Sequence, residues 1–519
     1  MRAGRLFRTA PAGSRFLQLA ARGLLGVLAG VVPAAPAHAF CGFFVAGGNA
    51  KLTNNASQVV LMRKGNRTAM TMSNTYQGPP ENFAMVVPVP VVLHKEDVKT
   101  LPPEVFDRVD SLSAPRLVEY WEQDPCRSPE VMRSAAPMSA MGGGMAKKSS
   151  RAEADDLGVT IEAQFVSGEY EILILSANES QGLETWLRRE KYNIPDGAAA
   201  ALAPYVRDKS KFFVAKVDVK KVKRNPAGLL QLSPLRFAFD SNELRLPVRL
   251  GLLNAAGKQD LIVYLLHPSS RFEVANYANV FIPTNLEVAD GVRQNFAAFF
   301  AELFDATVEK MGRRVVVTEY AWQTTSCDPC PTPPLTANDL ATLGLDVIEG
   351  VAIAVPPAGA PGKGVPAGPG MARPMRRPPP FFGAGAGWVL TRLHTRYSAE
   401  TLSEDLIFRE ARPVMGGRAQ WNGTNGDAGA QVTDAGINNF QGRYIIRHYW
   451  QGPVACQQPA YDQWGGPPGN PEGRPTPTAA KGLATAPRGA LSLVKEVRSP
   501  VPLLGIAGKA PPRRKARPQ

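Results

Sequence analysis

Lys211-Phe-Phe-Val-Ala-Lys-Val-Asp-Val219, Leu235-Arg-Phe-Ala-Phe-Asp240, Leu244-Arg-Leu-Pro-Val-Arg-Leu-Gly-Leu-Leu253 and Asp260-Leu-Ile-Val-Tyr-Leu-Leu-His267 follow one another as strand-like runs. Consecutive strands, without strict strand–helix alternation, argue against a doubly wound parallel sheet. The expected class is α+β, mainly antiparallel strands with a few packed helices and a disordered basic C-terminal tail.

Outward from these runs, Val159–Val166 and Tyr170–Leu175 alternate as strands, and Arg314–Tyr320 reads as another. Asn178 is expected to cap a helix, with Gln181 as its capping partner and Leu183, Trp186 and Leu187 on the inner face. A second helix is predicted over 197–207. The clearest helical pattern covers 292–311, where Val292, Phe296, Phe299, Phe300, Leu303, Phe304 and Val308 form a core-facing stripe and Gly312 stops it. Toward the N-terminus, Gly65-Asn66 joins two alternating runs, marked by Val59, Leu61, Met70 and Met72, into a hairpin. Phe83–Val89 is a further strand, and short helices are predicted over Pro103–Asp110 and Pro115–Glu122. Toward the C-terminus, Trp388–Tyr397 and Arg443–Trp450 alternate like paired strands.

Residues 1–39 have the layout of a secretory signal peptide. Arg2, Arg5, Arg8, Arg15 and Arg22 stand without an acid before the apolar run Gly23–Val32, which leads to Ala37-His38-Ala39. Cleavage is expected between Ala39 and Phe40. The apolar run falls well short of the about 20 residues of a spanning helix, and Phe40 before Cys41 does not suit a lipoprotein. The sequence then divides into an N-terminal β-rich part at 40–126, a flexible insert at 127–156, an α+β core at 157–345, a Pro/Gly-rich linker at 346–386, a strand-rich part at 387–456 and a disordered basic tail at 457–519. The expected location is periplasm, cell envelope or outside the cell, with no membrane span in the mature chain.

The net charge of +14 sits at the two ends. The leader carries five arginines, and residues 466–519 carry ten Lys/Arg against Glu472 and Glu496, which leaves the body near +1. A neutral body with a basic tail does not describe a specific nucleic-acid-binding domain. The tail suits anionic envelope components, met through sequence-blind phosphate contacts, or simply a solubilising end.

In an exported chain the five cysteines favour disulfides. Cys327-Asp328-Pro329-Cys330 is the sharp feature: such a pair closes a small ring, exchanges disulfides, or supplies half a metal site. Pro331-Thr332-Pro333-Pro334 follows it and cannot begin a regular helix, so the dipole that activates a redox thiol is absent and a structural ring is favoured. Cys41, Cys126 and Cys456 are further disulfide candidates whose pairing the sequence leaves open.

No motif for a catalytic serine, a zinc helix or a phosphate loop occurs, and no cofactor is expected. His94, His267, His394 and His448 show no metal-ligand spacing. His94 and His267 read as turn residues, and Asp155-Asp156 as a solvated pair. Glu319 and Trp322, just before the cysteine pair, are the residues to test first if a cleft forms there.

Phe40-Cys41-Gly42-Phe43-Phe44, Tyr76-Gln77-Gly78, the run Phe83–Pro90, Tyr170–Trp186, Leu235-Arg236-Phe237, Pro247–Gly251 and Trp322 before the cysteine pair occur in an order that resembles the bacterial domain-of-unknown-function family 2330. The resemblance covers roughly 40–345 and implies an exported protein without a known activity, so it lends no catalytic residues. The functional expectation is a non-catalytic envelope binding or interaction module. The alternative is thiol–disulfide or metal-dependent activity at Cys327 and Cys330.

Overall fold

The two-residue turn Gly65-Asn66, with Gly65 at φ 57°, folds Ala56–Lys64 back on Arg67–Ser73 in the expected hairpin. This hairpin lies inside an eleven-stranded mixed sheet. Gln259–His267 runs parallel to Ala56–Lys64 and antiparallel to Val389–Tyr397, which pairs in turn with Val315–Gln323. Leu235–Asp240 adds to the other side of the hairpin. Stretches far apart in sequence thus share one sheet. The computed structural model describes residues 43–47, 56–73, 83–126, 158–224, 230–254, 257–349, 387–417, 432–470, 477–480 and 486–509. The expected leader with its Ala39–Phe40 junction, Cys41, the expected insert at 127–156, most of the expected linker at 346–386 and the chain beyond 509 lie outside the described residues.

A second, six-stranded antiparallel sheet contains Phe83–Val89, Val159–Ser167, Tyr170–Ala177 and Lys211–Val217. Alternate residues face the first sheet. Phe83, Met85, Val87, Ile172, Ile174 and Phe213 pack on Val59, Leu61, Met70, Met72, Phe237 and Val263 as one core. The outer face of the second sheet is covered by the helices Ser180–Arg189 and Ala198–Arg207. The outer face of the first is covered by Glu104–Ser113 and, beside it, Phe296–Lys310. The phenylalanine stripe is the core face of that last helix, as its spacing predicts.

Several elements differ from the sequence-based expectation. Residues 116–122 form a strand rather than a helix: Arg116–Glu122 runs parallel to Arg443–His448 and also pairs with Trp464–Gly465 and Thr478–Ala479. Arg443–His448 therefore belongs to a separate sheet and does not pair with Val389–Tyr397. The strand expected over 244–253 stops at Leu246, because Pro247 has no N–H to continue the ladder, and Arg249–Asn254 is a 3-10 turn. The helix at 292–311 begins only at Phe296, after a 3-10 turn over Asp290–Gln294. The helix after Asn178 starts at Ser180 with Glu179 as its N-cap and no side-chain cap.

The expectation of a disordered tail from 457 is corrected for its described part. Val497 is fully buried, and it packs with Val501 and Ile506 against Phe296 and its neighbours. Those widely spaced apolar residues gain enough burial on the helix to hold an otherwise proline-rich segment in place. Asp346–Ile348, expected within the linker, is helical, and Asp346 pairs with Arg236.

Candidate functional site

Along Val389–Tyr397 the residues Leu390, Arg392, His394 and Arg396 project toward the helix-covered face. A buried charge is costly unless it is paired and hydrogen-bonded. Each of these charges finds a partner. Arg392 and His394 are almost fully buried and meet Glu319, which is itself 0 % exposed. The strand carrying Glu319 shifts register against Val389–Tyr397 between Thr318 and Tyr320, so Glu319 falls at an irregularity. Such bulges re-aim a side chain, and here the carboxylate reaches two partners at once. Its Oε2 accepts from Arg392 Nε at 2.6 Å and its Oε1 lies 2.7 Å from His394 Nδ1.

The row continues in both directions. On one side Arg392 Nη1 donates to Asp110 Oδ1 at 2.6 Å, and the Tyr264 hydroxyl donates to the same oxygen at 2.6 Å. On the other side His394 Nε2 is 3.1 Å from Asp260 Oδ1, and the imidazole stacks on Phe304 with ring centroids 3.9 Å apart. Asp260 is then met by Arg488, whose Nη2 sits 3.2 and 3.1 Å from the two carboxylate oxygens. Arg488 Nη1 reaches Asp305 at 2.6 Å, and Arg396 Nη1 reaches Asp305 at 3.3 Å.

The electrostatics follow from this geometry. Burial works to raise the Glu319 carboxyl, but the charges of His394 and Arg392 override it and hold it below its ordinary value. Asp260 is treated the same way: burial raises it, while its hydrogen bond to His394 and the charges of His394, Arg488 and Arg396 bring it down. Burial alone would lower His394, but Glu319 and Asp260 together raise it. Carboxylate oxygens only accept hydrogen bonds. Ionised carboxylates facing both ring nitrogens favour the imidazolium form of His394, which donates from each. That state leaves no lone pair for a general base or for a metal.

The cysteine pair stands near one end of this face. Cys327 and Cys330 are disulfide-bonded with Cα atoms 5.0 Å apart. Their loop is pinned from beneath: buried Arg116 donates to the Pro329 carbonyl at 2.8 Å and Gln441 to the Asp328 carbonyl at 2.6 Å. Burial lowers Arg116 to about 10 and raises its ring neighbour Tyr320 to about 12. The first helix after the pair begins at Ala337, so no helix N-terminus faces the sulfurs. The second disulfide, Cys126–Cys456, joins the segments that leave the parallel strands Arg116–Glu122 and Arg443–His448 at the same end.

The remaining residues singled out by sequence are dispersed. His94 is exposed in a turn. His267 ends its strand, where Nδ1 accepts from the backbone of Ser270 at 3.0 Å. His448 stacks on Trp121 and bonds to Glu119 at 2.8 Å. Trp322 is buried in the helix-covered core, not in a cleft with Glu319. Asp155 and Asp156 fall outside the described residues. Among the described residues no cluster of three or more His, Cys, Asp or Glu has metal-binding geometry. Likewise no helix of theirs is long and apolar enough to cross a membrane. Sequence reasoning named Glu319 but missed Asp110, Asp260, Arg392 and Arg488.

The family described as "Uncharacterized protein conserved in bacteria (DUF2330)" matches residues 35–409. The chain belongs to this family. Asp110, Asp260, Glu319, Arg392, His394 and the Cys327–Cys330 ring all fall within the matched residues, whereas Cys456 and Arg488 lie beyond them. No curated protein and no solved structure gives a significant match.

Proposed function

We propose that this DUF2330 protein is an exported envelope module that works by binding rather than by catalysis, with its reactive side chains committed to structure. The observation that carries the reading is His394, clamped between Glu319 and Asp260 and roofed by Phe304. Its charge neutralises two buried carboxylates instead of shuttling protons. Two disulfides support export, because such bonds persist in oxidising compartments. Binding to anionic envelope material through the basic end falls to the Lys and Arg of 466–519 other than Arg488 and Arg498. Arg488 and Arg498 are engaged with Asp260 and Asp305, and with Glu287 and Asp290.

Exposure of Cys330 favours one competing reading, thiol–disulfide exchange at the Cys327–Cys330 ring. The experiment that separates them expresses the whole chain in a bacterial host and assays fractions for location, then tests the purified protein with glutathione and a disulfide substrate. Export without turnover is the expected outcome. Catalytic reduction or oxidation of the substrate, lost in Cys330→Ser, would replace the binding reading with the redox one.

A further inference from the structure

The groups of the buried row carry a charge imbalance until the C-terminal segment is added. Asp110, Asp260, Asp305 and Glu319 bring four carboxylates, while Arg392, Arg396 and the His394 imidazolium bring three cations. The fourth is Arg488. Its guanidinium spans Asp260 and Asp305 as a fork and also donates to the Ala301 carbonyl at 3.4 Å. Planar bidentate geometry of this kind is what distinguishes a guanidinium site from a general cation site.

We infer that Asp260 and Asp305 form a receptor for an arginine-bearing peptide, filled in this chain by its own residues 488–509, which include the short helical turns Leu493–Glu496 and Pro502–Leu504. This goes beyond the proposed envelope role, since it assigns a second molecule to a defined place. The occupant behaves as a docked peptide. The isolated bridge of Val288 with Val497, the Arg498 N–H donated to the Glu287 carbonyl at 2.8 Å and the Arg498 pairs with Glu287 and Asp290 tie it to a neighbouring strand end, and its internal bridge is Val501 with Ile506. It is held by inserted side chains: Arg488 at one end, then Val497, Val501 and Ile506 in the apolar surface of Phe296–Lys310. A few main-chain bonds assist, including Ala289 N–H to the Glu496 carbonyl at 2.8 Å and Gly489 N–H to the Glu302 carboxylate. Beside Arg488, Leu491 and Leu493 form one wall of an open cleft of ≈ 460 Å³ whose other lining includes Lys258, Asp305 and Arg396. The receptor side chains lie in the family-matched residues and the occupant lies outside them.

The test keeps the full chain and inserts a protease recognition site within 481–485. After cleavage, a labelled peptide of residues 486–509 is added and binding is read by fluorescence anisotropy. The peptide is expected to exchange into the site, and Arg488→Ala in the peptide to weaken it by roughly 30-fold or more, as for truncation of one partner of a hydrogen-bonded charge pair. Arginine amide should compete at concentrations where glycine amide does not. Asp305→Asn, at a partly exposed position, should likewise weaken the peptide while the uncleaved chain still folds, as read from its melting curve. Equal binding of the wild-type and Arg488→Ala peptides would overturn the guanidinium receptor. Failure of excess peptide to exchange at all would overturn a site open to a second molecule.

Discussion

His394 and Glu319 are 75 residues apart in sequence, yet His394 Nδ1 and Glu319 Oε1 lie 2.7 Å apart with both side chains sealed from water. The pair joins the two strands that carry the cysteine ring and the C-terminal half of the sheet. Its consequences are thermodynamic before they are functional.

Stability should fall on both sides of a mildly acidic optimum. His394 is raised above the ordinary 6.5 in the folded chain. Its contribution is therefore complete below 6.5 and is lost as pH rises through the raised value. Glu319 and Asp260 are held below 4.5 and 3.8, so their contributions are present above those values and lost as pH falls through the lowered ones. Urea midpoints between pH 3 and 9 should show both limbs, and His394→Gln should remove much of the alkaline one. A wild-type profile that stays flat above pH 6.5 would rule out the histidine's part.

Glu319→Gln should destabilise by about 3–5 kcal/mol, because it strands Arg392 and His394 without their shared counter-charge in a closed interior. Equilibrium urea unfolding at pH 6 measures it. A loss below about 1 kcal/mol would mean that water reaches the row.

The two disulfides should differ in weight. Cys126–Cys456 closes a loop with a sequence separation of 330, and the ring Cys327–Cys330 one of 3. Cys456→Ser is expected to cost about 2–5 kcal/mol, and Cys330→Ser about 2 kcal/mol or less, on chain-entropy grounds. Thiol titration of the unreduced, denatured protein should find one reactive cysteine, Cys41, by peptide mapping.

Gly344 is a glycine whose replacement should matter. Its φ of 139° is foreign to other residues, and an added Cβ would stand 2.3 Å from the Ala69 Cβ. Gly344→Ala should lower stability by roughly 1–3 kcal/mol by pushing the 337–348 segment off the hairpin. Thermal melting of the variant checks this, and an unchanged midpoint would show that the segment yields freely.

The parts of this fold that depend on neighbours in sequence were legible there. Gly65-Asn66 between alternating runs gave the hairpin, and the phenylalanine spacing gave the core face of Phe296–Lys310. Arg116–Glu122 was misread because Glu119 and Glu122 also suit a helical face. Its strand identity comes from pairing with Arg443–His448, more than three hundred residues away. The packed end of the chain was hidden by the proline and basic composition around Val497, Val501 and Ile506. For the ionic row, one signal did exist. Arg392, His394 and Arg396 recur every second residue in an otherwise apolar strand, and buried charges on one face require partners. Nothing local to that strand names Glu319, Asp110 or Asp260, because each comes from a different element.

In the proposed reading His394 is a fixed imidazolium, a structural cation and not a catalytic base. Long-range proton–nitrogen correlation NMR of the folded protein, with His394 assigned through His394→Gln, reads this directly. The expected result at pH 7 is two protonated ring nitrogens that stay protonated well past the ordinary histidine range. A neutral ring with one unprotonated nitrogen at that pH would contradict it.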